Sequence, residues 1–334
     1  MDNIQQIFFQ QIKNNLPAHL SLVDEIASLL NISNDSAYRR IRNEKPISFD
    51  EIKILCAHFN VSVDQLLNLK NGSANFYADY ITPDNFDFKV YMEKSYKHLA
   101  HIGSFPQNEI FYYCKDFPLF YYYAFPELAA FKYFIWMKTS LNFPVFSNVP
   151  FSFDYYMKPF IEMGDKVFRA YAAIPGTEIM NVENVITMLL QIEYYKKSFL
   201  FSSNDIVNTL LDKLDEMICH IRRQADQGVK FIPNEKPSAN APKYQLYVND
   251  FVIGDNSVVG KYENQCISFL THSHINFIAI SDPNFTAYHY NFIKNIIKKS
   301  ILISDTGEKH RARFFHLIHD KIQQCRDNKM ETMG

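Results

Sequence analysis

The sequence predicts a mainly α-helical protein ending in an α+β module, with a small five-helix domain at its N-terminus. Three observations carry this expectation. Aliphatic residues recur at helical spacing through the first 70 residues, an aromatic-rich stretch of helix-length apolar segments follows, and after residue 242 the pattern changes to short extended runs divided by turn residues.

Length and composition set the outer bounds. The 334 residues suggest two domains and allow three. With 34 Lys and Arg against 36 Asp and Glu, the net charge of −2 excludes a strongly basic field over the whole protein. Hydrophobic residues at 47% and charged residues at 21% supply a packed core and exclude general disorder. There are nine glycines and neither a GxGxxG nor a GxxxxGK, so a Gly-rich phosphate cradle is not expected. The five cysteines are odd in number and scattered, which fits neither a disulfide framework nor a CxxC zinc site and suits a reducing cytoplasm. The first residues lack a basic segment followed by an unbroken apolar run, so no secretory signal is expected. The most apolar window, residues 117–137, is interrupted by Pro126, Glu127 and Lys132 and does not read as a membrane span.

The N-terminal elements follow in order. A first helix over residues 3–14 is stopped by Leu16-Pro17, because a residue before proline is pushed out of the α region. Ser21 caps a second helix over residues 22–30, where Leu22, Ile26, Leu29 and Leu30 form one stripe and Ala27 permits close approach. Asn31-Ile32-Ser33 makes a turn. A third helix over residues 34–43 turns Ala37 and Ile41 inward and leaves Asn34, Asp35, Ser36, Tyr38, Arg39 and Arg42 outside. Ser48 with Glu51 and Ser62 with Gln65 form two capping boxes that open helices four and five. Ile52, Leu55, Cys56, Phe59, Val63, Leu66 and Leu67 complete the core.

The stretch EIASLLNISNDSAYRRIRNEKPISFDEIKILCAHFNVSVDQLL, residues 25–67, resembles the lambda-repressor-like helix-turn-helix domains of XRE-type bacterial regulators. Helix, three-residue turn, helix, loop and two further capped helices occur in that order. Asn31 stands where the motif often has Gly, a mild departure because Asn tolerates the left-handed conformation. Arg40 stands where an apolar residue is usual, which implies a slightly rotated helix with Ile41 as the inward residue. The resemblance implies a cytoplasmic, homodimeric transcriptional regulator that binds double-stranded DNA with its third helix in the major groove. It assigns Asn34, Asp35, Ser36 and Arg39 to base edges. Ser33, Tyr38, Arg42 and Lys45 are assigned to phosphates, together with the end of the helix capped by Ser21. Residues 1–70 hold seven basic and eight acidic residues, but from Ser36 to Lys45 four basic residues face one acid.

Residues 71–84 read as a linker and residues 85–230 as an aromatic-rich helical domain, with helices over 86–102, 127–141, 153–171, 182–198 and 204–227 and a short strand over 110–114. Between Phe105 and Phe160, 21 of 56 residues are aromatic, so Tyr112, Tyr121, Tyr122, Phe134 and Trp136 either pack a thick core or line an effector pocket. This domain is expected to supply the dimer contact and to sense a small-molecule or peptide effector. After a polar break at 232–242, strands over 244–252, 257–262, 266–271 and 275–280 are expected, with Gly254-Asp255-Asn256 as a hairpin turn, and then helices over 285–300 and 308–328. The last segment, 243–334, reads as an α+β module of its own. His272, His274, His316 and His319 have no HExxH carboxylate or cysteine pair beside them and read as surface or packing residues. Lys294, Lys298, Lys299, Lys309, Arg311 and Arg313 read as solvated helix faces. No nucleophile motif occurs, so neither catalysis nor a cofactor or metal is expected. The alternative to DNA binding is a protein-interaction scaffold that keeps the helix-turn-helix shape.

Overall fold

A computed structural model describes residues 3–16, 20–59, 61, 63, 74, 76–251 and 254–329. The chain divides into two compact units, Met1–Asn75 and Phe76–Gly334.

Among the described residues the first unit holds four of the five expected helices. Helix α1, Ile4–Asn15, opens on a capping box in which the Asn3 side chain and Gln6 exchange hydrogen bonds with backbone N–H groups. Helix α2, Leu22–Leu30, is capped by Ser21 and ends on Asn31 in the left-handed region at φ 52°. Helix α3 spans Asn34–Ile41, two residues shorter than the sequence pattern suggests. It stops there because Asn43 turns left-handed at φ 63°, while the Glu44 and Lys45 N–H groups fold back onto the Arg39 carbonyl. Helix α4, Phe49–Phe59, starts on the expected box, with Ser48 N donating to Glu51 Oε2 at 2.9 Å and Glu51 N to Ser48 Oγ at 3.2 Å. Phe8, Phe9, Ile12, Ile26, Ala27, Ala37, Leu55 and Val61 meet in one core. The second capping box and its helix, with Ser62, Gln65, Leu66 and Leu67, lie outside the described residues.

The second unit is built on one seven-stranded sheet in the order β6-β5-β4-β1-β2-β3-β7. In chain order its elements are α5 (Phe88–Gly103), β1 (Asn108–Tyr113), α6 (Leu119–Tyr123), α7 (Pro126–Ile135), α8 (Lys158–Ala172), β2 (Gly176–Met180), α9 (Asn184–Lys197) and α10 (Asn204–Gln227). Then follow β3 (Tyr244–Val248), β4 (Ser257–Tyr262), β5 (Gln265–Thr271), β6 (Phe277–Ile280), α11 (Pro283–Ile297), β7 (Ile301–Leu302) and α12 (Glu308–Arg326). Strands β1, β2 and β3 run parallel, and the remaining pairings are antiparallel. The architecture is therefore mixed α/β. Among the described residues no helix is long and apolar enough to cross a membrane.

Several boundaries are corrected by this sheet. Residues 85–230 and 243–334 are not separate modules, because β1 and β2 from the former lie between β4 and β3 from the latter. Residues 76–84 belong to the unit rather than to a linker: Tyr77 N donates to Ala279 O at 2.8 Å, and the Phe76 and Phe285 rings meet at 5.4 Å. Gly254-Asp255-Asn256 does not close a hairpin, since β3 pairs with β2 and β7 while β4 pairs with β1 and β5. Asn256 instead accepts from the Lys115 and Asp116 N–H groups beyond the end of β1. The hairpin lies between β4 and β5, where Glu263 takes φ 48°. Helix α7 also stops earlier than expected, passing into a π-helical turn over Trp136–Ser140.

Alternation along the strands separates two cores. Ile110, Tyr112, Met180 and Leu246 face the larger helical layer, whereas Phe111, Tyr113, Ile179 and Val259 face α11 through Ile293 and Tyr290. Tyr112, Tyr121, Tyr122, Phe134 and Trp136 are all buried in the larger core, so of the two readings of the aromatic stretch the structure shows packing. Gly260 leaves room for that packing, since a Cβ there would lie 2.5 Å from Ile102 Cδ1 and force that side chain to shift.

Candidate nucleic-acid interface

Helix α3 owes its orientation to what it buries. Ala37 is fully buried and Arg40 is 5% exposed, whereas Asn34, Asp35, Tyr38 and Arg39 lie on the exposed side. The inward residue is thus Arg40 itself, and the expected rotation towards a buried Ile41 does not occur: Ile41 is half-buried. Arg40 is accommodated by Glu51, whose two carboxylate oxygens accept its Nη2 and Nε protons at 2.6 and 3.2 Å. Its third nitrogen donates to the Ser36 carbonyl at 3.1 Å. The Arg40 guanidinium holds the Glu51 carboxyl below its ordinary range, against the opposing effect of burial. A charge on the inward side of α3 is tolerated because α4 carries its counter-ion.

A second tie holds the loop after α3. The Gln5 side chain in α1 donates to the carbonyls of Arg40 and Lys45 at 2.7 and 2.8 Å and accepts from Ile47 N at 3.0 Å. Nothing in the local sequence around Gln5 signals this role, because its partners lie 35 to 42 residues away.

Of the sequence-assigned residues, Asn34, Asp35, Tyr38, Arg39 and Arg42 share one exposed flank, Ser33 and Lys45 are exposed beside it, and Ser36 is half-buried on the side of Arg40. Ser33 caps α3 and accepts from Ser36 N at 3.3 Å. Asn34 donates its amide to Asp24 of α2 at 2.9 Å, and Ser36 Oγ accepts from Arg40 at 3.3 Å. Asp35 and Lys45 are exposed. Arg42 stacks over the Tyr38 ring at 4.6 Å from the centroid, a cation–π contact that holds both side chains at the surface. The Arg39 and Arg42 side chains are 56% and 61% exposed, and both lie 4.0 Å from Glu44. Since Arg40 is engaged internally, the outward cations are Arg39, Arg42 and Lys45. The end of α2 capped by Ser21 carries Asp24 and Glu25 in its first turn, which opposes phosphate at that helix end.

The second unit contains a polar cluster that the sequence does not announce. Glu178, in the middle of β2 and fully buried, accepts from the hydroxyls of Tyr171 and Tyr244, the latter at 2.8 Å. Tyr121 Oη lies 3.1 Å from Glu178 Oε1 and 2.8 Å from Gln224 Oε1, so its single proton serves one of them at a time. Lys230 Nζ lies 3.5 Å from the Tyr171 ring centroid, in space that exists because residue 176 is glycine: a Cβ there would be 2.6 Å from Lys230 Nζ. Burial pulls the Lys230 ammonium down to about 8 and pushes the Glu178 carboxyl up, and each charge opposes the shift of the other. These groups satisfy one another at the centre of the sheet, an arrangement suited to positioning helices.

His220 extends the cluster. Gln224 Nε2 donates to His220 Nε2 at 3.0 Å, which places the ring proton on Nδ1, an atom without a hydrogen-bond partner among the described residues. Burial, aided by the charge of Arg223, pulls His220 down to about 4. The unfolded chain therefore takes up this proton at higher pH than the folded one. Stability from this residue is complete above about pH 6.5 and declines as pH falls towards about 4, by about 3 kcal/mol in all. Urea midpoints measured across that window should fall less steeply in His220→Leu than in the native chain, and parallel slopes would refute the assignment.

Three of the other sequence candidates have side-chain partners. His316 pairs with Asp320 at 3.4 Å, His319 with Asp215 at 2.5 Å, and Arg311 is buried against Asp226 and the Ile303 carbonyl. Among the described residues no cluster of three or more His, Cys, Asp or Glu side chains could hold a metal ion, and all five cysteines are free. Comparison with family models, with curated proteins and with solved structures finds no match to the chain.

Proposed function

We propose that the protein is a sequence-specific DNA-binding transcriptional regulator in which α3 reads the major groove and the second unit supplies dimerisation and effector response. The observation that carries this reading is the single exposed flank of α3, which presents Asp35, Tyr38, Arg39 and Arg42 while Ala37 and the Arg40–Glu51 pair anchor the opposite side. Asn34, Asp35, Ser36 and Arg39 then meet base edges, and Ser33, Tyr38, Arg42 and Lys45 meet phosphates. Because one short helix contacts few base pairs, specificity calls for two half-sites and a homodimer. Phosphate contacts from Arg42 and Lys45 make binding weaken with salt, and Glu44, 4.0 Å from both outward arginines, lowers the affinity by competing for them.

The test is selection of bound sequences from random duplexes at a stated salt concentration, followed by titration of variants. Arg39→Ala with Arg42→Ala should weaken binding at least about tenfold at modest salt, whereas Glu44→Gln should strengthen it. Unchanged affinity in the double variant, or a monomer by light scattering with operator bound, overturns the reading. A protein-interaction scaffold is the second reading, favoured by the excess of one acid over residues 1–70 and by the Asn34–Asp24 bond, which occupies a base-reading amide. Absence of duplex affinity in the native chain, with the fold intact, would select it.

A further inference from the structure

A cleft of about 540 Å³ opens along α10, within the size range of ligand pockets. Its wall includes Phe125 and Pro233, and α10 contributes Cys219, Arg222 and Arg223. Three acids also line it, and each is already engaged. Asp215 bonds to His319 at 2.5 Å, both Glu216 oxygens accept from Lys213 at 2.9 Å, and Asp226 pairs with Arg311. Arg222 and Arg223 differ: among the described residues neither has an ion pair or a hydrogen bond, and both are exposed.

The geometry points to this cleft as a binding site for a small organic anion, a carboxylate or phosphate attached to an apolar or aromatic body. A guanidinium fork matches the planar oxygens of a carboxylate or phosphate in two parallel hydrogen bonds, and two adjacent unengaged forks leave a local positive charge for such a group to neutralise. Phe125 and Pro233 offer apolar surface to the remainder of the ligand. Each of the three acids already has a basic partner, so none is dedicated to the arginines. The assignment gives the proposed regulator's effector a location and a chemistry, and it rests on that reading only for its consequence, since binding here involves no DNA.

Calorimetric titration of the full chain with benzoate and with phenyl phosphate, using benzyl alcohol and inorganic phosphate as controls, tests it. At least one aromatic anion should bind, and more tightly than either control. Arg222→Gln and Arg223→Gln should each reduce that affinity about tenfold, with unchanged thermal melting because both residues are exposed. Cys219→Trp, which fills the cleft from the same helix, should also remove binding. Preference for benzoate assigns a carboxylate, preference for phenyl phosphate assigns a phosphate, and equal binding supports the shared chemistry. Failure of both anions to bind at millimolar concentration, equal binding of benzyl alcohol, or affinity unaffected by the arginine substitutions overturns the proposal.

Discussion

Glu178→Ala is expected to unfold the second unit or bring it close to unfolding. The substitution strips the acceptor from the Tyr171 and Tyr244 hydroxyls, removes one of two for Tyr121, and leaves buried Lys230 with Glu109 as its remaining opposing charge. Each buried polar group that loses its partner costs about 1 to 3 kcal/mol, so the total is on the order of 5 kcal/mol, comparable with the whole stability of a typical domain. Glu178→Gln keeps the shape and one carbonyl acceptor and should lose markedly less. Urea unfolding followed by the tyrosine near-ultraviolet dichroism measures both. A loss below about 1 kcal/mol in the alanine variant would mean that the cluster contributes little to holding the sheet.

Arg40→Leu should destabilise the first unit by about 3 kcal/mol, because removing one member of a largely desolvated pair leaves the other without compensation. Glu51 is 19% exposed on its side chain, which places the effect towards the lower end for buried pairs. Adding Glu51→Gln should restore much of the loss. Glutamine still serves the Ser48 N–H in the capping box and carries no charge, and leucine supplies an apolar side chain for the buried position. The pair also has a pH signature. Its folded-state carboxyl lies below the ordinary range, so its contribution is present above about pH 4.5 and is lost as pH falls through the depressed value. The double variant should lack that acid-side decline. Equal stability of the native chain and Arg40→Leu at neutral pH would show that the pair is dispensable to the fold.

Much of the first unit was legible locally. Ser21 and the Ser48–Glu51 box mark helix starts through backbone donors that any helix leaves unpaired, and Asn31 marks a stop because it accepts a left-handed conformation. The flank of α3 followed from its small inward residue Ala37 and its polar neighbours. What could not be read was the direction of Arg40, since a charged side chain faces inward only when a partner waits there. That partner is eleven residues away on another helix.

In the second unit most helices and five of the strands were legible, and the pairing of the strands was not. Helix α10 has the bounds that its periodicity suggests, and β4 likewise, because each carries a regular pattern over its whole length. Strand β2 went unseen because all five of its residues are buried, which erases the alternation that marks a half-exposed strand. Its neighbours β1 and β3 lie far away in the chain, and no local turn encodes such parallel pairing.

The sequence by itself determined the helix starts and stops, the polar flank at residues 33–45 and the aromatic material of the large core, since these depend on backbone capping and on side-chain spacing within a few turns. Only the tertiary structure decided that seven strands between Asn108 and Leu302 share one sheet, that Glu178 gathers three tyrosines, and that Arg222 and Arg223 have no ion pair or hydrogen bond among the described residues. Those outcomes depend on which distant segments become neighbours, and the stabilisation or cost of a polar group is set by the groups that surround it after folding.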